Sequence, residues 1–383
     1  MFGKIFAYIF LAVIIADIYI FAVFIRKLTK NILFRLLWFV PSLILLAGIY
    51  LFFFSGKGHD YREIFMFAFA GITLPKIFFT IISWLDIPFR YFFKWKVYPF
   101  TIVGLLVSFG IVYITIYGAT SGKTRFEVKQ IEFRSPNLPT AFDGYKVIQI
   151  SDLHVGNWKG EKEPFRKLVE IINQQNGDVI MVTGDLVNTR AKELDGYEEI
   201  LSGIKSRDGV YSILGNHDYG LYHQWNNKTD EQQNLEDLKK RQVDMGWILL
   251  NNEHDFLKKG PDSIAVIGVE NAGSKFFPDF SDLSKATKGT ESAKFKILLS
   301  HDPTHWRREV LNTNIDLMLA GHTHGTQLAL GYFSIAQFVY PEWSGLYTKD
   351  KQGLYVNVGI GFVGLPFRYG AFPEITVITL KKE

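Results

Sequence analysis

Cysteine is absent from the 383-residue sequence. Disulfides and thiolate metal sites are therefore excluded, and a metal site would have to use oxygen and imidazole ligands. The formal net charge at pH 7 is only +4, which gives no basis for nucleic-acid binding, and we predict no nucleic-acid partner. Internal repeats and low-complexity linkers are also missing, so a repeat architecture is excluded.

Charged residues are scarce in the first third of the chain, where apolar runs are long enough to span a bilayer as helices of about 20 residues. No polar face interrupts these runs, which argues against buried core helices of a soluble domain. Arg26 and Lys27 follow the first run where a cleaved signal peptide would have small residues, so an uncleaved anchor is expected. We predict an all-α transmembrane region of four helices within residues 1–120. The predicted spans are residues 5–25, 33–54, 64–85 and 99–118.

The loops between these spans differ in charge, and the positive-inside rule converts that difference into an orientation. The second loop is nearly neutral, because Lys57 and Arg62 are offset by Asp60 and Glu63. The first and third loops are basic, which places them on the cytoplasmic side and both termini outside. We therefore predict an integral protein of the plasma membrane whose C-terminal region is extracytoplasmic. The basic residues of those two loops are Arg26, Lys27, Lys30, Arg35, Arg90, Lys94 and Lys96. The opposing observation is the basic group Lys123, Arg125 and Lys129 after the fourth span.

Two ionisable residues, Asp17 and Lys76, fall inside predicted spans. Charges at that depth are costly and often mark functional sites. The alternative is that the two side chains pair with each other and fix helix packing, and we favour this interpretation.

From about residue 126 onward, short apolar runs typical of buried strands alternate with helical stretches. Residues 146–150, 178–182, 211–214, 297–299 and 317–320 read as strands, and each is followed closely by polar residues. Residues 165–174 and 232–245 read as helices. This alternation predicts an α/β domain over residues 126–383, with a site gathered at strand ends.

Five motifs follow those apolar runs in order, and together they contain three carboxylates, one amide and five imidazoles. Oxygen and imidazole ligands without thiolates suit Mn, Fe, Zn or Co. The set is sufficient for two adjacent divalent ions with one histidine left over, a composition suited to phosphoester hydrolysis. Any one motif alone would carry little weight. The motifs are Asp152-Leu153-His154, Gly184-Asp185, Gly215-Asn216-His217-Asp218, His301 and Gly321-His322-Thr323-His324.

These motifs resemble those of the calcineurin-like metallophosphoesterase superfamily over residues 140–383. The segments 340–347 and 359–376, with the spans that precede the domain, are similar to membrane-associated bacterial members. The resemblance implies a four-layer α-β-β-α sandwich, two divalent metal ions (Mn, Fe or Zn) and hydrolysis by water that the metals activate.

The resemblance also implies a role for each residue of the motifs. Asp152, His154 and His324 would hold the first metal. Asn216, His301 and His322 would hold the second, and Asp185 would be shared by both. His217 would stabilise developing charge or protonate the leaving oxygen, with Asp218 orienting its ring.

Several alternatives remain open at this stage. The substrate could be a phosphomonoester, a phosphodiester or a lipid-linked pyrophosphate held at the membrane. An inactive metal-binding scaffold and a transporter are alternatives from other classes, although the complete ligand set with His217 argues against the scaffold. Arg368 could bind phosphate or pair with Glu374, and Asn188 could contact phosphate or form a turn. The histidines that match no motif are expected at the surface: His223, His254 and His305.

Overall fold

The computed structural model describes residues 2–54, 62–94, 96–274 and 277–383. Lys57 and Asp60, two of the four charged residues of the second loop, lie outside the described residues. The chain divides into two compact units, Met1–Thr120 and Ser121–Glu383.

All the regular secondary structure of the first unit is helical within the described residues. Three of its helical segments are long and apolar enough to cross a membrane: Tyr8–Leu28, Glu63–Phe93 and Pro99–Thr124. A shorter apolar helical segment, Ile32–Gly48, corresponds to the second predicted span. The predicted transmembrane-type region is therefore confirmed, with three helices of full spanning length and a fourth that is shorter. The helices are Phe2–Ile20, Arg26–Leu28, Ile32–Leu37, Val40–Phe54, Arg62–Ala68, Leu74–Trp84, Asp86–Phe93 and Pro99–Thr120, with π-helical turns at Phe21–Ile25 and Phe69–Thr73.

The two charges inside the predicted spans pair with each other. Lys76 Nζ lies 2.8 Å from Asp17 Oδ1 and 3.0 Å from the hydroxyl of Ser42. Trp38 donates from its indole nitrogen to the carbonyl of Asp17 at 3.2 Å, and its ring lies under the Lys76 ammonium. The predicted pairing is therefore confirmed, and this ion pair, with Ser42 and Trp38, connects the first, second and third apolar segments.

The second unit is an α/β domain with fourteen strands in its described residues. They are β1 (Glu127–Ser135), β2 (Lys146–Ile150), β3 (Val179–Val182), β4 (Val210–Ser212), β5 (Trp247–Leu249), β6 (Glu253–Lys259), β7 (Asp262–Gly268), β8 (Lys296–Leu299), β9 (Leu317–Ala320), β10 (Ala329–Leu330), β11 (Phe333–Ser334), β12 (Gly345–Lys349), β13 (Gln352–Val356) and β14 (Glu374–Lys382).

Twelve of these strands form two six-stranded sheets. The first has the order β1-β14-β2-β3-β4-β5, with β2 to β5 parallel to one another. The second has the order β12-β13-β9-β8-β7-β6, with β13, β9, β8 and β7 parallel. Strands β10 and β11 form a small separate hairpin.

The sheets pack face to face over a shared apolar core that includes Val147 and Met181 from the first sheet and Ile297 and Leu319 from the second. Helices cover the outer faces. Glu163–Gln174 packs Phe165, Leu168 and Ile172 against the first sheet. Leu283–Thr287 and His305–Arg308 contribute Leu283, Ala286 and Trp306 to the core outside the second. The predicted α-β-β-α sandwich is confirmed.

Candidate metal centre

The candidate ligands all follow parallel strands at the same edge of the sandwich, where open α/β sheets place their sites. The five strands belong to both sheets, and the site therefore lies where the two sheets meet. Asp152 and His154 follow β2, Asp185 follows β3, Asn216 follows β4, His301 follows β8, and His322 and His324 follow β9.

Five of these seven residues have left-handed backbone conformations, with φ between 45° and 73°. Such conformations cost roughly 1–3 kcal/mol each for residues other than glycine and occur mainly at functional sites. Backbone hydrogen bonds between the loops hold them in place: Asp152 N donates to Gly184 O at 2.9 Å, and His154 N donates to Asp185 O at 3.1 Å. The five are Asp152, His154, Asp185, His322 and His324.

Two glycines of the motifs are required by close packing of the loops. Gly184 has a φ of 91°, and a Cβ there would lie 2.6 Å from the amide nitrogen of Gly215. A Cβ on Gly321 would lie 1.9 Å from Ser151 Oγ and 2.4 Å from Asp152 Oδ2. Only glycine allows these approaches, so the glycines of the motifs let the ligand-bearing loops come close together.

One cluster of ligand atoms joins Asp152, His154 and His324. His324 Nε2 lies 3.3 Å from Asp152 Oδ1 and 3.1 Å from His154 Nε2. A second cluster joins Asp185, His301 and His322. His301 Nε2 lies 3.1 Å from Asp185 Oδ2 and 3.3 Å from His322 Nδ1.

Asp185 connects the two clusters through a single oxygen. Its Oδ2 lies 3.5 Å from His154 Nε2 and 3.1 Å from His301 Nε2. Its other oxygen accepts a hydrogen bond from the backbone nitrogen of His217 at 2.9 Å, which fixes the carboxylate orientation.

The donor set fits divalent cations. Two ligands of one ion at about 2.1 Å are about 3.0–3.4 Å apart, close to the separations within each cluster. The buried side-chain oxygen of Asn216 has no hydrogen-bond partner in the described part of the chain, whereas its amide nitrogen donates to Tyr222 at 2.8 Å. An unpaired buried carbonyl oxygen is costly unless a ligand satisfies it, so Asn216 is suited to coordinate a cation.

The electrostatics keep three imidazoles free of extra protons. Burial lowers the pKa of His154 to about 3 and the pKa of His322 to about 4. Burial also holds the pKa of His324 well below its ordinary value, and electrostatic repulsion from His154 and Arg368 acts in the same direction. These rings are neutral near pH 7, and a neutral ring nitrogen is the form that binds a metal.

Among the other candidate ligands, the pKa values of Asp152 and His301 are raised and the pKa of Asp185 is lowered. Burial raises the pKa of Asp152 to about 6, although the nearby His301 opposes the shift. Burial also opposes ionisation of Asp185, but the imidazoles of His301, His217 and His154 outweigh it and hold the pKa of Asp185 well below its usual value. Burial disfavours the charged form of His301, yet Asp185 outweighs it and raises the pKa of His301 to about 10.

His217 lies beside the ligands, but Asp218 does not orient its ring as expected. His217 Nδ1 is 2.8 Å from the carbonyl oxygen of Asn188, and its ring contacts His154 edge to face. The buried Asp218 carboxylate instead accepts hydrogen bonds from the backbone nitrogens of Asp185, Gly215 and Val187 at 2.9–3.1 Å. The prediction of Asp218 as the orienting residue is therefore wrong, because that carboxylate joins two ligand loops and the Asn188 carbonyl contacts the histidine.

Arg368 also differs from both sequence interpretations. Its side chain is fully buried, and Nη2 donates to His324 Nδ1 at 3.0 Å. The other donations go to the carbonyl oxygens of Gly361, Ala371 and Val358. Glu374 instead pairs with Lys129. Arg368 therefore fixes the position of the His324 ring and is not exposed for substrate binding.

Two tyrosines that sequence reasoning did not single out contact the candidate ligands. Tyr222 accepts from Asn216 and lies with its ring 4.4 Å from the ring of His217. The hydroxyl of Tyr340 lies 2.9 Å from His322 Nε2. Tyr340 belongs to segment 340–347, whose likeness to membrane-associated phosphoesterases could have identified it. Tyr222 lies outside the five motifs and could not be identified in this way.

The three unmatched histidines lie outside the clusters. His223 and His254 are partly exposed, but His305 is fully buried between Ser300 and Glu309, with ring nitrogens 2.9 Å from each partner. The surface prediction is therefore wrong for His305, which is a satisfied core residue.

Comparisons with known proteins agree with this site. Residues 145–326 match the calcineurin-like phosphoesterase family, and residues 3–123 match a family described as the transmembrane domain of calcineurin-like phosphoesterases. A zebrafish transmembrane protein with a metallophosphoesterase domain is 29% identical over 74% of this chain and 63% of its own length. The chain thus spans less than two thirds of that relative.

Two bacterial relatives are similar over about two thirds of the chain or more. A metallophosphoesterase of Campylobacter jejuni is 32% identical over 72% of this chain and 68% of its own length. Another from Bacillus subtilis is 28% identical over 67% of this chain and 85% of its own length. With the strand-end clusters of aspartate and histidine, these matches show that the chain belongs to the calcineurin-like phosphoesterases, metal-dependent hydrolases, and carries a transmembrane domain of that family.

Proposed function

We propose that the protein is a membrane-anchored phosphohydrolase that uses two divalent metal ions, Mn, Fe or Zn, to cleave phosphomonoesters or phosphodiesters. The observation that carries the proposal is the position of Asp185 Oδ2, within 3.5 Å of ligand nitrogens in both clusters. A carboxylate in that position can be shared between two ions, and paired ions are suited to phosphoester hydrolysis.

Asp152, His154 and His324 would hold one ion, and Asn216, His301 and His322 would hold the other. When bound, the ions polarise the phosphoryl group and lower the pKa of water. His217 faces the site from its edge with Nδ1 fixed on the Asn188 carbonyl, which leaves Nε2 to exchange a proton with the leaving oxygen.

A hydrolysis assay tests the proposal directly. The purified full chain is incubated with bis(p-nitrophenyl) phosphate and with p-nitrophenyl phosphate in added Mn²⁺, and again after chelation. We expect metal-dependent release of p-nitrophenol by the parent and none by Asp185→Asn, with His254→Ala as a matched control at the parent rate. A metal-loaded parent with no activity on either ester would favour the inactive scaffold.

The domain acts on the extracytoplasmic side in this proposal. The basic loops after the first and third predicted spans support that side, and Lys123, Arg125 and Lys129 oppose it. A C-terminal alkaline phosphatase fusion should be active and a C-terminal fluorescent fusion dark. The reverse pattern would place the domain in the cytoplasm.

A further inference from the structure

An uncharged, exposed hairpin adjoins the metal centre. The seventeen residues 325–341, which follow His324 directly, contain no acidic or basic side chain. Strands β10 and β11 pair within this run around a tight turn at Gly331 and Tyr332. We call residues 328–340 the apolar hairpin.

The apolar hairpin turns its large apolar side chains to the outside. Tyr332 is fully exposed, Phe338 is 74% exposed and Val339 is 66% exposed. Soluble surfaces rarely gather so many large apolar groups in one short segment, and such patches mark protein or membrane contacts. The exposed side chains of the segment are Leu330, Tyr332, Phe333, Ile335, Phe338 and Val339.

The hairpin is fixed to the ligand-bearing loop. The buried hydroxyl of Ser334 donates to the carbonyl of Gly325 at 2.7 Å, one residue after His324. At its far end, the Tyr340 hydroxyl lies 2.9 Å from His322 Nε2. The apolar surface is thus held at the rim of the centre through its middle, at Ser334, and through its C-terminal end, at Tyr340.

Aromatic and aliphatic side chains also lie beside the candidate ligands and the catalytic histidine candidate. Phe277 contacts the ring of His322 edge to face, and Tyr222 lies against His217. Leu221, next to Tyr222, is exposed. A group bound at the metals would therefore meet aromatic and aliphatic side chains and no nearby carboxylate on the hairpin.

Resting on the proposed function, we propose that the apolar hairpin inserts into the interface of a lipid bilayer and that the substrate is an amphiphilic phosphoester whose apolar tail stays in that bilayer. Only residues 121–126 connect the last apolar helix to β1, so the domain is tethered to a membrane segment and meets a bilayer at high effective concentration. Exposed tyrosine and phenylalanine without charges suit the membrane interface, whereas a soluble partner would favour a polar rim.

The absence of cysteine gives a direct test of the docking surface. A nitroxide attached to Phe338→Cys is the single label on the full chain, reconstituted in vesicles of phosphatidylcholine and phosphatidylglycerol. We expect its collision rate with oxygen, relative to a water-soluble nickel chelate, to be several-fold higher than that of a label on Val243→Cys. Val243 is a matched control because it is 61% exposed on the otherwise polar helix Lys228–Asp244.

Two results would overturn the docking surface. Equal oxygen-to-nickel ratios at the two positions would show that the hairpin stays in water. Spin–spin broadening at position 338 that disappears on dilution with unlabelled chain would show that a second copy covers it.

Turnover then separates the substrate class from the proposed function. The triple variant Tyr332→Ser, Phe338→Ser and Val339→Ser should hydrolyse soluble bis(p-nitrophenyl) phosphate at the parent rate. On hexadecyl p-nitrophenyl phosphate embedded in the same vesicles, it should be slower than the parent by about tenfold or more, and Val243→Ser should not. Equal losses on both esters would overturn the amphiphilic substrate. A parent inactive on both esters would overturn the proposed function, and the label at position 338 would still test docking.

Discussion

Arg368 donates a hydrogen bond from Nη2 to Nδ1 of His324 at 3.0 Å, and the arginine side chain is completely buried. An arginine has no acceptor, so the histidine nitrogen must accept. The ring of His324 is thereby held with Nε2 toward Asp152 and His154. In the neutral ring the proton then lies on Nε2, and a metal at Nε2 would require that proton to move. A candidate ligand of the centre is thus oriented by a residue that is 44 positions away in sequence.

We predict that Arg368→Lys destabilises the fold, because buried acceptors left without a donor cost about 1–3 kcal/mol each. Lysine cannot reproduce the guanidinium contacts to His324 and three carbonyl oxygens. Thermal unfolding of the metal-free protein measures the loss, with Arg134→Lys at an exposed position as the control. An Arg368→Lys protein with the Tm of the parent would show that these contacts do not stabilise the fold.

Asp218→Asn should destabilise the fold and loosen the centre. The carboxylate accepts three backbone hydrogen bonds, and an amide presents N–H groups to at least one of those donors. Leaving a buried donor unsatisfied costs about 1–3 kcal/mol. Thermal unfolding of the metal-free protein measures the loss, with Asp230→Asn at an exposed helix start as the control. A Tm equal to that of the parent would contradict the structural role.

Metal affinity should rise with pH, because protons compete with metal for two ligands. The pKa of Asp152 is raised to about 6 by burial, and the pKa of His301 is raised to about 10 by Asp185 against the effect of burial. A raised pKa means that the metal-free ligand keeps its proton at lower pH. Metal binding then releases about two protons below pH 6 and about one above it. Titrations in buffers of different ionisation enthalpy measure that number, and an affinity independent of pH would refute this proton competition.

The sequence predicts that the candidate ligands gather at one edge of the domain, because each of them closely follows a short apolar run. Each candidate ligand follows a buried strand by two to four residues, and parallel strands bring such positions to one edge. Asp152 and His324 could therefore be identified from motifs, and their clustering is observed. The helix Glu163–Gln174 is likewise visible as a periodic apolar pattern, and most central strands are visible as short apolar runs.

The errors arise where a side chain acts across the fold. Asp218 is next to His217 in sequence, but its acceptor oxygens are used by loops that follow two different strands. Arg368 reaches His324 only after the C-terminal segment folds back over the site. The outer strands β5, β6 and β12 were missed because their half-exposed patterns lack long apolar runs. His305 is a different case, because its polar partners, Ser300 and Glu309, are only five and four residues away in sequence, yet its ring is fully buried.

His217→Ala should keep metal and lose turnover. The side chain lies beside the clusters, with Nδ1 on the Asn188 carbonyl, and a general acid contributes about 10²–10⁴-fold. The loss should be larger for phenyl phosphate than for p-nitrophenyl phosphate, since a poorer leaving group needs the proton more. Steady-state rates on both esters measure this difference, with His254→Ala as control. Equal losses on the two esters would contradict protonation of the leaving oxygen.

The metal content of the purified full chain tests the shared carboxylate most directly. Asp185 Oδ2 lies 3.1 Å from His301 Nε2 and 3.5 Å from His154 Nε2, so its removal should affect both ions together. After reconstitution with Mn²⁺ and removal of free metal, elemental analysis should give about two ions per chain. Asp185→Asn should lose both, whereas His254→Ala should keep both. A parent with one ion or none, or an Asp185→Asn protein that keeps two, would contradict the two-metal centre.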